Sequence, residues 1–330
     1  MSRTVRILAI DGGGIRGIIP AMVMAEIEQR TNKRIHELFD LIAGTSTGGI
    51  LALGITKPSE DGGAHYTAED GVKLYEQEGG RIFDRSIWQR VRSAENLAEP
   101  KYPERGVEAV LNEYFGETRL KEALTEVLIT SYEIERNIPW FFRSSRAKTN
   151  PSYDFPMRFV ARATSAAPTY FPPCKIPVDG AAGYYALVDG AVFANNPSMC
   201  AYVEAQSRFP DATDYLVVSL GTGEFNNPLY YEKAAHWGLI GWALPVINIL
   251  MHGVNQTVDY QMRQLMPAVE GGGRRYYRFQ TVLPESYTDM DDISPEAMRG
   301  YKLLAEELIH KHSAELERVC GQLVQLVSQS

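Results

Sequence analysis

The sequence predicts an α/β fold of three layers, α/β/α, built on a mostly parallel central sheet. Three observations predict it. Short apolar runs stopped by glycine alternate with segments whose apolar residues recur at helical spacing. Three of these runs end in glycine turns: after Ile10, after Ala43 and after Asp189. No linker-like stretch and no internal repeat interrupts the 330 residues. A single domain over 1–330 is therefore expected, with a less defined helical region over about 230–330.

The elements follow in order. Arg6 to Asp11 reads as a short buried strand with a glycine stop. Gly17 to Arg30 reads as a helix whose Ile18, Met22, Ala25 and Ile27 are spaced for the core. Phe39 to Gly44 is a second apolar run, followed by a tight turn and a helix carrying Ile50, Leu51, Leu53 and Ile55. Pro58 to Gly63 is a loop. From Ala68 to Arg105 the pattern weakens. Arg81, Arg85, Arg90, Arg92, Lys101 and Arg105 share that stretch with Ile82, Phe83 and Trp88. It reads as a solvated insertion with buried anchors, or else as a surface for anionic head groups. Glu126 to Glu133 and Pro139 to Ser144 read as strands, Met157 to Ala167 as a helix and Tyr184 to Asp189 as a strand. Ser198 to Arg208 is a helix, Tyr215 to Leu220 a buried strand, and Trp237 to Met266 one or two helices. Tyr276 to Leu283 is a strand, and Pro295 to Ser328 is helical.

Composition narrows the function classes. The formal net charge is −8, which argues against a nucleic-acid polymer as partner. Cys174, Cys200 and Cys320 form no metal spacing and no redox pair, and they read as inert thiols in a reducing compartment. The apolar run Ile7 to Ile10 is too short for a secretory signal, so a cytoplasmic location is expected. The longest apolar stretch, Trp237 to Met251, is broken by Pro245 and Asn248. It is too short to span a bilayer; it reads as core packing, as a wall or lid of an apolar groove, or as peripheral contact with lipid.

Three strand ends carry chemistry. The first is Asp11-Gly12-Gly13-Gly14-Ile15-Arg16-Gly17. Such a loop turns several backbone N–H groups toward one point, as an oxyanion requires, and loss of one donor costs about 2.7–4 kcal/mol. The same residues also fit the Gly-x-Gly-x-x-Gly dinucleotide fingerprint, with Glu37 and Asp40 at about the right distance for its acidic partner. The second is Gly44-Thr45-Ser46-Thr47-Gly48, a Gly-x-Ser-x-Gly turn between strand and helix that raises a serine hydroxyl above a sheet. The third is Asp189-Gly190, a carboxylate placed to act as a base or merely to cap its turn. None of the six histidines stands at a strand end; His236 or His252 would have to complete a Ser-Asp-His triad.

Taken together, these three motifs resemble the patatin-like phospholipases, lipid acyl hydrolases. Weaker matches lie at Ala163-Thr164-Ser165-Ala166-Ala167-Pro168, Asn195-Asn196-Pro197 and Ser219-Leu220-Gly221-Thr222-Gly223, in the family's order. The resemblance covers roughly residues 5 to 225. It implies a patatin-like fold, a histidine-free dyad of Ser46 and Asp189, an oxyanion hole at Gly12, Gly13 and Gly14, and no cofactor or metal. The family's arginine falls on Arg16, with phosphate contact or a structural ion pair as its implied role. The implied substrate is a phospholipid or related acyl lipid. An acyltransferase using the same acyl-enzyme is the alternative, and a dinucleotide-binding oxidoreductase is a more distant one. Some bacterial members are effectors switched on by a signalling nucleotide, so the resemblance also brings a small-molecule activator among the candidate partners.

Overall fold

The computed structural model describes residues 3–83, 100–178, 183–225, 228–268 and 274–328. Its strands are β1 (Thr4–Ile10), β2 (Leu41–Gly44), β3 (Glu126–Glu133), β4 (Ile138–Arg143), β5 (Cys174–Pro177), β6 (Tyr184–Asp189), β7 (Asp214–Leu220) and β8 (Tyr276–Phe279). They form one eight-stranded sheet in the order β5-β6-β3-β2-β1-β7-β8, with β4 paired to β3 outside that path. The run β3-β2-β1-β7-β8 is parallel, as expected. β4 and β6 pair with β3 antiparallel, and β5 pairs with β6 antiparallel.

The helices are α1 (Ile18–Thr31), α2 (Ile35–Leu38), α3 (Thr47–Thr56), α4 (Ala68–Ile82), α5 (Glu104–Phe115), α6 (Ser144–Thr149), α7 (Met157–Thr164), α8 (Ala191–Ala194), α9 (Ser198–Arg208), α10 (Tyr231–Ala234), α11 (Leu239–Leu265), α12 (Pro295–Lys311) and α13 (Ser313–Val327). They cover both faces of the sheet, which gives the three layers. Every residue of β1 from Val5 to Ile10 is buried, as a strand covered on both sides requires. Its side chains alternate between two cores. Leu8 and Ile10 pack with apolar residues of α1, α3, α4, α12 and α13, whereas Val5 and Ile7 pack with Ala201 and Ala205 of α9 and Met262 of α11.

The stretch with the weak pattern, expected to be a solvated insertion with buried anchors, begins with the amphipathic helix α4, and a second, α5, starts at its end. α4 starts on a reciprocal capping box, in which Asp70 N–H donates to Thr67 Oγ1 at 3.1 Å and Thr67 N–H donates to Asp70 Oδ2 at 3.0 Å. It buries Val72, Tyr75 and Gly79 on one side. α5 buries Val107, Val110, Leu111 and Phe115. Arg81 is ion-paired with Glu78 and Glu113, and Lys101 with Asp291, so both cations are engaged within the protein. Arg85, Trp88, Arg90 and Arg92 lie outside the described residues. Trp237 to Met266 yields the 27-residue helix α11, running through Pro245, and the C-terminal stretch breaks at His312 into α12 and α13. Among the described residues, no helix is long and apolar enough to cross a membrane.

One feature of register places the site. Gly44 at the end of β2 pairs with Ile129 of β3, and Asp189 at the end of β6 pairs with Ser131. β4 occupies the other flank of β3 across both positions. β2 and β6 therefore share one flank of β3 and run at each other head on, with only Thr130 between their ends.

Candidate active site

The turn that follows β2 is strained. Ser46 has φ 55° and ψ −124°, a left-handed conformation that costs a non-glycine residue about 1–3 kcal/mol. The turn is tight enough that a Cβ on Gly44 would stand 2.2 Å from the Gly48 carbonyl oxygen. The backbone N–H of Ser46 donates to Thr164 Oγ1 at 2.9 Å, which ties the turn to the end of α7. α3 starts at Thr47, and its first turn closes on the nucleophile turn, with Gly48 N–H donating to the Thr45 carbonyl at 2.8 Å and Gly49 N–H to the Ser46 carbonyl at 2.9 Å.

The turn after β6 arrives from the opposite side. Gly190 packs so closely on β3 that a Cβ there would lie 2.1 Å from Thr130 Oγ1. Asp189 N–H donates to the Ala166 carbonyl at 3.0 Å, and the carboxylate accepts from Ala191 N–H at 2.8 Å. Asp189 is 2 % exposed and Ser46 8 %. Burial pushes the Asp189 carboxyl up to about 7, opposed by the Ser46 hydroxyl and the Ala191 N–H, which both donate to it. Thus the hydroxyl and the carboxylate, 143 positions apart by number (189 minus 46), share one apolar pocket of about 330 Å³ with Gly13 and Gly14.

The glycine loop is held by its carbonyl oxygens. Thr222 Oγ1 donates to Gly12 O at 2.6 Å. Arg16 donates to Gly13 O twice, through its backbone N–H at 3.3 Å and its Nε at 3.2 Å. In a trans peptide the C=O and the following N–H point opposite ways. Anchoring Gly12 O and Gly13 O on one side therefore turns the N–H groups of Gly13 and Gly14 to the other. Among the described residues neither N–H has a protein acceptor. Gly12 differs, because its N–H donates to the Asn195 carbonyl at 3.1 Å. That bond removes Gly12 from the free donors expected of this loop.

Arg16 is buried, 5 % exposed, and lies outside the residues lining the pocket. Among the described residues Arg16 forms no ion pair, and its side chain braces the loop through the Gly13 carbonyl. Burial lowers its basicity, with Tyr301, Tyr170 and Asp289 opposing that shift. An ion pair does form at the start of the loop, between Asp11 and an arginine that the sequence reading passed over. Arg278 of β8 donates to both carboxylate oxygens of Asp11 and to Ser219 Oγ at 2.8 Å.

The dinucleotide reading lacks its acidic partner. Asp40 accepts from Arg6 Nε and Nη2, both at 2.8 Å, at the amino end of β1 and thus the far end from the loop. Glu37 accepts from the backbone of Arg34, capping α2. The triad reading fares no better, since His236 and His252 are exposed and neither lines the pocket. Cys174, Cys200 and Cys320 are free, and burial pushes each thiol up to about 11. Among the described residues no cluster of three or more His, Cys, Asp or Glu is placed to hold a metal ion.

Thr164, Thr222 and Arg278 carry this geometry without having been singled out. The first two had a signal, since they lie in motifs recognised as weak matches; Arg278 had only that of a charge inside an apolar strand.

A family model described as patatin-like phospholipase matches residues 8–202. Patatin-like protein 4 of Arabidopsis thaliana is 33% identical over 335 residues, covering 92% of this chain and 83% of the relative. Patatin of Solanum tuberosum is 34% identical over 337 residues, covering 94% and 85%. Among solved structures, VipD from Legionella pneumophila aligns over 94% of this chain and 67% of its own, at 14% identity and a TM-score of 0.42.

Proposed function

Because the chain belongs to the patatin-like phospholipase family, we propose that it hydrolyses fatty acyl esters of phospholipids or related lipids through Ser46 and Asp189. The observation that carries this reading is the meeting of a strained serine and a buried carboxylate in one apolar pocket.

Asp189 accepts the Ser46 proton as Oγ attacks the ester carbonyl. The developing oxyanion is received by the free N–H groups of Gly13 and Gly14. When the tetrahedral intermediate collapses, the leaving alkoxide takes the proton from Asp189 and departs as an alcohol or lysolipid. Asp189 then removes a proton from water, the hydroxide attacks the acyl-enzyme, and Ser46 regains its hydrogen as the fatty acid leaves. An isolated aspartate, with a pKa near 3.9, is a weak base at neutral pH. Burial supports the role by raising Asp189 to about 7, where a general base works best.

Access to lipid falls to α11. Trp242, Val246, Ile249 and Leu250 are exposed at i, i+4, i+7 and i+8 spacing, which puts them on one side of the helix. Leu250 and Met251 also line the pocket. An apolar stripe leading to the pocket mouth suits peripheral contact with a lipid surface. The side chain of Leu244, expected in the same groove wall, lies outside the described residues.

The test pairs chemistry with trapping. Wild type treated with a fluorophosphonate probe gains one adduct on the peptide bearing Ser46. Ser46→Ala gains none and loses hydrolysis of both phospholipid vesicles and a soluble ester. Near wild-type turnover by Ser46→Ala would end the proposal. Added alcohol acceptor distinguishes transfer from hydrolysis by product analysis.

A further inference from the structure

Behind the Ser46 pocket lies a second cavity, of about 40 Å³, walled by α3, α4 and α5. Three residues, Ile50, Tyr75 and Ile82, line both spaces, so they form the partition between them. The Tyr75 hydroxyl is hydrogen-bonded to Thr47 Oγ1, on the residue next to the nucleophile, which fixes the ring at the junction. Gly54, Leu74 and Leu111 lie on the inner side only. The polar groups at the rim are already satisfied: Thr67 and Asp70 cap each other, and Tyr66 Oη donates to the Tyr114 carbonyl at 3.0 Å. The lining presents no unsatisfied buried polar atom, so it favours an apolar occupant over water.

We propose that this inner cavity is the distal acyl-chain subsite, entered past Tyr75, so that the space between α3, α4 and α5 selects chain length. The inference rests on the hydrolase reading only for its direction of entry; occupancy by a hydrocarbon chain is measured separately. Bound as an ester at Ser46, a short chain stays in the outer pocket. A longer one passes between Ile50, Tyr75 and Ile82 and buries its end beside Leu74 and Leu111.

Gly54 permits a clean test, because a Cβ there meets no atom within 4 Å. Gly54→Phe fills the cavity, and Ile82→Ala opens the partition. With p-nitrophenyl esters from four to sixteen carbons, Gly54→Phe lowers the long-to-short ratio of kcat/KM about tenfold, the equivalent of two methylenes left unburied. Ile82→Ala moves the ratio the other way. In parallel, binding of cis-parinaric acid, a fluorescent long-chain fatty acid, weakens in Gly54→Phe. Ratios and parinaric affinity within twofold of wild type in both variants, with native circular dichroism, overturn the subsite. If wild type cleaves no ester of any length while parinaric binding still weakens in Gly54→Phe, the subsite stands and the hydrolase reading falls. Should Gly54→Phe not fold, Ile82→Ala decides alone.

Discussion

Asp11 and Arg278, 267 positions apart, form a bidentate ion pair whose N–O distances are 2.9 and 2.6 Å. Both side chains are almost fully buried, at 1% and 6% exposure. The pair joins the start of the glycine loop to β8, and so ties the last hundred or so residues to the proposed oxyanion site.

Breaking that pair leaves an uncompensated buried charge. Arg278→Gln is expected to lose about 3–5 kcal/mol of stability, measured by urea unfolding. It is also expected to weaken catalysis, because Asp11 directly precedes Gly12. We further propose that the chain unfolds as one unit, because β8 pairs with β7 within the same sheet. Two separated thermal transitions, with residues 230–330 melting alone, would contradict that.

The pH profile follows from Asp189. Its carboxyl is raised to about 7, mainly by burial, and the base form is the deprotonated one. We expect kcat/KM to rise from pH 6 to pH 8 with a midpoint near 7. Stability moves the other way. A group whose folded pKa lies above its unfolded value, near 3.9, stabilises at low pH and loses that contribution as pH rises through the folded pKa. Asp189→Asn should drop activity by about 10²–10⁴-fold and remove this decline, so that above pH 7 it melts higher than wild type. A pH-independent wild-type rate between 6 and 8 would speak against Asp189 as the base.

Thr222 is a positioning residue. Its hydroxyl holds the Gly12 carbonyl at 2.6 Å and so sets the direction of the Gly13 N–H. Thr222→Val keeps the shape and loses the donor. We expect kcat to fall about tenfold or more with KM little changed, since the lost contribution belongs to the transition state. Thr222→Ser restores the donor and should recover most of kcat. Equal damage in both variants would point to packing instead.

The exposed face of α11 gives a fourth test. Val246 and Ile249 are 39% and 45% exposed and lie outside the pocket lining. The double change Val246→Gln/Ile249→Gln should reduce hydrolysis of phospholipid vesicles several-fold, and co-sedimentation with them, while a soluble short-chain ester is cleaved at the wild-type rate. Undiminished vesicle sedimentation would remove α11 from lipid contact.

Legibility in the sequence followed from how local each signal was. Ser46 and the glycine loop announce themselves because a strained turn and a bare backbone need particular residues within five or six positions. The parallel strands β1, β2 and β7 were equally plain, being buried on both faces and apolar over most of their length. α4 and α5 were hidden by their surroundings, since Gly71, Gly79 and Gly80 and many charges dilute the stripe of Val72 and Tyr75. The antiparallel course of β6 was not readable, because direction depends on pairing with β3 and leaves no mark on the strand itself. Gly12 looked equivalent to Gly13 and Gly14 until the Asn195 carbonyl was seen to occupy its N–H. Arg278 could not have been matched with Asp11, as nothing in either neighbourhood names the other.

The head-on approach of β2 and β6 along β3 has a consequence for control. The spacing of the two reacting side chains is fixed by ladder hydrogen bonds to Ile129 and Ser131, with Thr130 as the spacer. Such a span has no soft joint; a shift by one residue would turn Asp189 toward the opposite side of the sheet. A regulator of this protein therefore has little leverage on the chemistry itself. Its influence falls on what enters and leaves, where helices pack on side chains and a modest tilt suffices to admit or refuse a molecule.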